Sequence, residues 1–441
     1  MDSLPTLTSG NDCSFRNPAR FLDTRVSDIC IAAVFLFFLI EDPLESYFSE
    51  LQLFDEILTI VLCVAAFIKG GKVETETKGE IIKIIVGFFV IAILGLLGNA
   101  FCGYQTVSIA IAKDCFAFLK FPLVVIASGA LLCSCSSKNT IHLCSVISTI
   151  FVSICFVFGI INTASPIVDF SHDYRGGIMS FKFIFSHPTF LVLSLVLCFA
   201  VLAAENKKLD KWKVMCLLAM LLTMRDKAFG FIVLVVAGWL FRIYQKKRVV
   251  PYFIAAGVVV LCVAWPKISE YIAYSNSQRE TLYRMAISIA NSGFPFGSGF
   301  ASIASPLSGE YYSSAYYAFG ASAMEGMTPT GYFDLGDAGL AYYLGVFGWL
   351  GFLLFIFLVF CIYRLMSKRL VIGSSARYAV FCLFGYIVIA LTVENVLTNA
   401  SGVEIAFVLS IISMSQQDDS RQTLNSINSQ LSEAMIEVTD R

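Results

Sequence analysis

The run Ile84-Ile85-Val86-Gly87-Phe88-Phe89-Val90-Ile91-Ala92-Ile93-Leu94-Gly95-Leu96-Leu97-Gly98 decides the fold class. From Ile84 to Cys102 no position carries a charge. A bilayer core takes roughly 20 apolar residues as a helix. A stretch this long and this uniform has no polar face to turn to water, so it reads as a lipid-facing helix. Similar windows recur at 26–41, 52–69, 81–102, 107–133, 140–162, 186–204, 211–224, 228–244, 250–266, 338–363, 376–393 and 398–415. The seventh and eighth are separated only by Met224-Arg225-Asp226-Lys227, which reads as a tight turn; the alternative is one long broken helix.

Composition agrees. Of 441 residues, 57% are hydrophobic and 14% charged, against about 25% charged in soluble domains. Mean hydropathy is +0.77. A net charge of −1 argues against nucleic acid as a partner. The fourteen cysteines lie mostly inside apolar runs, where thiols behave as small hydrophobes. Cys133 and Cys135 are too close together for a zinc site, and no His cluster accompanies them, so no metal is expected.

Loop charge sets the expected orientation. With the N-terminus cytoplasmic, the inside loops hold sixteen basic residues, from Lys69 through Arg377, and the short outside loops about five: Lys113, Arg175, Lys182, Arg225 and Lys227. That bias follows the positive-inside rule and alternates along the chain. The expected fold is an all-α polytopic membrane protein with about 12 spans and both termini cytoplasmic. Its parts are a cytoplasmic segment at 1–25, spans one to nine at 26–266, a large outside loop at 267–336, spans ten to twelve at 337–415, and a tail at 416–441. The first segment lacks the pattern of a cleaved signal peptide. In the tail, Leu424, Ile427, Leu431 and Met435 recur at helical spacing, as in an amphipathic surface helix.

Polar chemistry gathers on the outside face, in the loop of 163–186, the turn at Arg225 and the loop of 267–336. The long loop has eight tyrosines, Tyr311 and Tyr316 among them, which suit either a sugar surface or an interfacial aromatic belt. Within it, residues 277–290 alternate at helical period and carry Arg279 and Arg284. Five positions apart on a helix, the two lie about 140° apart, so only one faces a given ligand. Arg175, Arg225, Arg279 and Arg284 all oppose the positive-inside bias. A guanidinium forks bidentately onto phosphate, and a lipid-linked diphosphate at the outer leaflet would supply that partner. Pairing within the protein, Arg225 with Asp226 or Arg279 with Glu280, is the alternative. Within the helices, Lys120, Glu394 and Glu404 are costly at membrane depth and must snorkel, pair or line a polar cavity.

Four stretches together resemble the O-antigen and capsule polymerase family (the Wzy type), related to the O-antigen ligases. They are Arg175-Gly176-Gly177 through Ser186-His187-Pro188; Leu222-Thr223-Met224-Arg225; Arg279 through Phe294-Pro295-Phe296-Gly297-Ser298-Gly299-Phe300; and Gly336-Asp337 through Gly345, Gly348 and Gly351. The three glycines also read as a close-packing helix face. The ligase branch usually places a His near the position of Asp337, so the Asp here favours polymerase.

The resemblance implies a GT-C-like enzyme of the bacterial inner membrane, with its active face periplasmic. It would join undecaprenyl-diphosphate-linked glycan repeats, with no cofactor and no metal, and a polysaccharide chain-length regulator is a further implied partner. Displacing a diphosphate needs charge stabilisation on the leaving group and a base for the acceptor hydroxyl. On that chemistry, Arg225 with Arg279 or Arg284 would hold the donor diphosphate and Arg175 the acceptor. Asp337 would lead as base, ahead of His187 and His172. A ligase or a non-enzymatic flippase of lipid-linked glycans is the competing reading.

Overall fold

The computed structural model of the chain describes residues 25–69, 75–132, 137–175, 177–206, 208–243, 277–332, 335–368, 370–371 and 373–414. Its helices are α1 (Val26–Leu39), α2 (Glu41–Tyr47), α3 (Phe54–Lys69), α4 (Thr75–Cys102), α5 (Ser108–Leu132), α6 (Ser137–Ala164), α7 (Pro188–Glu205), α8 (Lys211–Leu222) and α9 (Asp226–Ile243). Then come α10 (Gln278–Ser292), the short α11 (Pro306–Glu310) and α12 (Ala315–Ala318), α13 (Gly339–Lys368), α14 (Ser375–Leu391) and α15 (Ala400–Met414). Eleven of the twelve apolar windows coincide with one of these helices. The window at 250–266, most of the segment 1–25, the tail 416–441, and Tyr271 and Tyr274 lie outside the described residues.

Six of the helices are long and apolar enough to cross a membrane, and α1, α14 and α15 are shorter apolar helices. The chain is therefore a helical membrane-embedded protein. The all-α expectation needs one amendment: β1 (Ser171–Arg175) pairs antiparallel with β2 (Ile178–Phe181) in a small hairpin between α6 and α7. The seventh and eighth windows are two helices. Thr223 ends α8 by donating its hydroxyl to the Met220 carbonyl, and Met224 then takes φ 52°, which no continuous helix allows.

α7 is the buried centre. Nearly every side chain from Leu191 to Ala204 is enclosed, and α6, α8 and α14 pack around it. In contrast, only 11% of the span through α3 is buried within the protein, whereas for α7 the figure is 83%. Lipid and protein interior reward the same residues, so the two helices look alike in sequence.

Antiparallel neighbours bring alternate helix ends together. Glu205 at the end of α7 meets His142 near the start of α6, Nδ1 to Oε1 2.8 Å. Lys368 at the end of α13 meets Glu80 near the start of α4, 3.1 Å. The hairpin, the α8–α9 turn, α10 and the start of α13 lie at the other end.

The long loop is inserted among the helices rather than draped over them. Asn99 of α4 clamps Phe300, accepting from its N–H at 2.8 Å and donating to its carbonyl at 2.9 Å. Asp114 of α5, 2% exposed, accepts from the Ala301 N–H at 2.6 Å and the Tyr342 hydroxyl at 3.2 Å. Ser298 and Gly299 donate their N–H groups to the carbonyls of Gly345 and Val346. Gly348 makes this approach possible: at φ 66°, ψ −175° it breaks α13, and a Cβ there would sit 2.7 Å from the Phe296 carbonyl carbon. Gly345 and Gly348 thus receive the loop. The expected helix–helix face is kept at Gly345, where a Cβ would stand 3.4 Å from Ala286 Cα of α10, and at Gly351, beside Leu94 of α4.

Replacing Gly348 by Ala forces a glycine-only conformation, at a cost of about 1–3 kcal/mol. Asn99→Ala orphans two buried backbone groups, about 1–3 kcal/mol each. Both variants should melt several degrees below wild type in detergent. Unchanged melting in both would contradict the clamp.

Candidate functional site

Three charged segments converge on one cavity of about 480 Å³ at the hairpin end of the bundle. Its wall includes Arg175, His187, Arg225, Asp226, Lys227, Arg279, Asp337 and Glu394. The hairpin supplies the first part. Asn162, fully buried near the end of α6, accepts from the Ile167 N–H and the Ser171 hydroxyl, both at 2.9 Å, and so fixes where β1 starts. Strand alternation then puts Asp173 and Arg175 on one side of β1.

Asp173 is the hub. One carboxylate oxygen takes Arg225 Nη2 at 2.9 Å and Ser180 Oγ at 2.5 Å, with His172 Nδ1 at 3.1 Å; the other takes Arg175 Nε at 2.8 Å. Burial works to raise the Asp173 carboxyl. The hydrogen bonds from Ser180 and Arg175 and the charge of Arg225 outweigh it and hold the carboxyl well below the usual carboxylate range. A carboxylate held this firmly as an anion positions cations and makes a poor proton acceptor.

The α8–α9 turn supplies the second part. Arg225 is 7% exposed, and its Nε is buried with no hydrogen-bond partner. Two residues on, Lys227, 6% exposed, sits 2.5 Å from Glu394 beyond the end of α14. The third part is α10 and the segment before α13. Arg279 Nε donates to the Asp337 carbonyl at 2.8 Å, and its Nη2 lies 3.6 Å from the Asp337 carboxylate.

His187 caps α7 from just outside it. Its Nδ1 accepts from the Thr189 N–H at 3.2 Å, which leaves the ring proton on Nε2, and the ring meets His172 edge-on at 4.7 Å. Burial, followed by the charges of Arg225, His172 and Lys227, pushes its imidazole from 6.5 down to about 4.

Of the residues expected from sequence, Arg175, Arg225, Arg279, Asp337 and His187 share the cavity wall, and His172 stands behind it on Asp173. Arg284 is not among the lining residues; it turns to Glu280 one helical turn back, Nε to Oε1 3.5 Å, with its side chain 60% exposed. Neither tyrosine lines the cavity. Tyr316 is fully buried and its hydroxyl bonds Ser308 and the Ala304 N–H, a structural role. Tyr311 lies under Lys113, 5.7 Å from the ring centre. Lys120 is paired with Asp55 inside the bundle, and buried Glu404 also lies away from the cavity wall.

Asp173 and Lys227 have no role in the sequence reading, whereas Glu394, expected to snorkel, pair or line a polar cavity, pairs with Lys227 on the cavity wall. The signal for Asp173 was the alternation Asp173-Tyr174-Arg175; nothing local marks Lys227 as the partner of a residue on another helix. No protein-family model matches the chain, and no curated protein matches it either.

Because folded His187 stays neutral down to about pH 4 while the unfolded chain takes up its proton below about 6.5, its contribution to stability is complete above pH 6.5 and fades as pH falls toward 4. His187→Asn keeps a capping oxygen and removes the titration. Its melting temperature should fall less than that of wild type between about pH 7 and about pH 4.5. Equal falls in the two proteins would contradict the neutral imidazole.

Proposed function

We propose that the chain polymerises lipid-linked glycan repeats, moving the growing glycan from a polyprenyl-diphosphate donor to a sugar hydroxyl of a polyprenyl-diphosphate-linked acceptor. On this reading it is a metal-independent glycosyltransferase of the bacterial inner membrane with its cavity at the periplasmic face. One observation carries the proposal: cations from the hairpin, the α8–α9 turn and α10 meet in one cavity beside three carboxylates, Asp226, Asp337 and Glu394. The four motif stretches and their order along the chain support it.

In the proposed step the acceptor hydroxyl oxygen attacks the donor's anomeric carbon, the bond from that carbon to the diphosphate oxygen breaks, and polyprenyl diphosphate leaves. The leaving group is a stable dianion or trianion, so it needs cations rather than an acid. Arg225 and Arg279 hold the donor diphosphate, Arg225 through the Nε that has no partner in the protein, once the side chain shifts to open that atom, closed to solvent here, to the cavity. Arg175 faces the acceptor. The acceptor proton passes to a carboxylate on the wall. Asp337, 55% exposed at its side chain, is the leading base; Glu394, 25% exposed and already joined to Lys227, is the second. Arg284, directed to Glu280, takes no part.

The ligase reading has one observation in its favour, the neutral imidazole of His187 on the cavity wall. What accumulates in a null strain separates the two. Single repeats on the lipid indicate a polymerase, and undecorated lipid core indicates a ligase.

Alanine at Arg175, Arg225 or Arg279 should cut chain elongation about 10²–10³-fold, the loss typical of one transition-state charge donor. Asp337→Asn should do likewise, and Arg284→Ala should elongate normally. The measurement is glycan chain length on gels, with membrane expression of each variant checked. Wild-type chains in all four site variants would overturn the proposal.

A further inference from the structure

A second cavity, of about 440 Å³, opens at the opposite end of the bundle, between the first turns of α4, the last turns of α13 and the first turn of α14. It has two kinds of surface. The floor is apolar, made by Ile84, Leu358 and Leu365, all buried, with Phe357 exposed beside them. The rim carries Lys83, Arg364, Lys368 and Arg377 against a single carboxylate, Glu80. Lys368 takes that carboxylate at 3.1 Å. Among the described residues, Lys83, Arg364 and Arg377 have no ion-pair partner. Ser367 belongs to the same wall; it is 4% exposed, and its hydroxyl is buried with no hydrogen-bond partner.

The depth of this cavity follows from the sequence. Lys83 is the last charge before the uncharged run that begins at Ile84, so rim and floor straddle the boundary where headgroups give way to acyl chains. Three cations at that boundary attract an anion, and the first turn of α14, capped by Ser374, adds the positive end of a helix dipole. An inorganic anion would satisfy the cations but leave the floor uncovered. An amphiphile with a negative head and an acyl tail satisfies both surfaces, and the unpartnered Ser367 hydroxyl can donate to a phosphate oxygen.

We infer that this cavity binds an anionic phospholipid, its phosphodiester headgroup held by Lys83, Arg364 and Arg377 and an acyl chain laid along Ile84, Phe357 and Leu358. The inference stands apart from the polymerase reading, since none of these residues lines the candidate site.

Native mass spectrometry of the full-length protein tests it, after reconstitution with equal parts of phosphatidylglycerol and phosphatidylcholine. Wild type should retain phosphatidylglycerol at least tenfold over phosphatidylcholine. The triple variant Lys83→Gln, Arg364→Gln, Arg377→Gln should lose that preference. Lys83→Arg, Arg364→Lys, Arg377→Lys should keep it, which separates lost charge from disturbed folding. Equal retention of the two lipids by wild type, an undiminished preference in the neutralised variant, or loss in the charge-preserving variant would each overturn the inference.

Discussion

A guanidinium removed from water must keep a counter-charge, and at the candidate site one carboxylate serves two of them. Asp173 draws Arg175 from its own strand and Arg225 from the turn between α8 and α9 onto opposite oxygens. Removing it would take from buried Arg225 the acid it is bonded to and leave β1 held to the α8–α9 turn by the weaker contact of Arg225 Nη2 with His172 Nδ1, 3.2 Å. The surrounding chain is built to keep Asp173 in place: Asn162 fixes the start of β1, Ser180 reaches across from β2, and the break at Met224 aims Arg225 at the hairpin. A local strand, a turn and an ion pair thereby become one rigid wall of the cavity.

The opposite wall depends on the long loop being part of the protein's interior. Asn99 and Asp114 bond its backbone from α4 and α5, while Gly348 opens a gap in α13 for residues 295–299. α10 packs along α13 as a result. That arrangement sets Arg279 beside Asp337 and across from Arg225. Polar backbone at this depth is tolerated because each of these groups finds a partner inside the protein.

The helices were legible because a long uncharged run has few alternatives, and eleven windows carry helices close to where length and charge put them. Which helices face lipid was not legible, since α3 and α7 have equal hydropathy, 2.1, and opposite burial. For the site, the arginines at Arg175, Arg225 and Arg279 stood out because they oppose the charge bias of the loops. The angular separation on α10 implied that Arg279 and Arg284 would part, and they do. Tyr316 was misleading because a tyrosine in a polar loop carries the same signature whether it faces a ligand or, as here, closes an internal hydrogen-bond network. Asp173 and the Lys227–Glu394 pair depend on contacts between distant segments, which composition and periodicity do not encode.

Every cation on the cavity wall already has an acidic neighbour, which bears on how the site would receive a diphosphate. Four unpaired cations in one half-enclosed space would repel one another by several kcal/mol at an effective dielectric of about 20. The acids remove that cost while leaving donors available. Arg225 illustrates the division: Nη2 is committed to Asp173, whereas Nε is buried and unpartnered. An orphaned buried donor costs about 1–3 kcal/mol, and a phosphate oxygen would recover that energy once a shift of the side chain opens Nε, closed to solvent here, to the cavity. On the proposed reading, then, the carboxylates hold the cations in position rather than compete for them, and the anion gains its affinity from donors that the protein cannot satisfy itself.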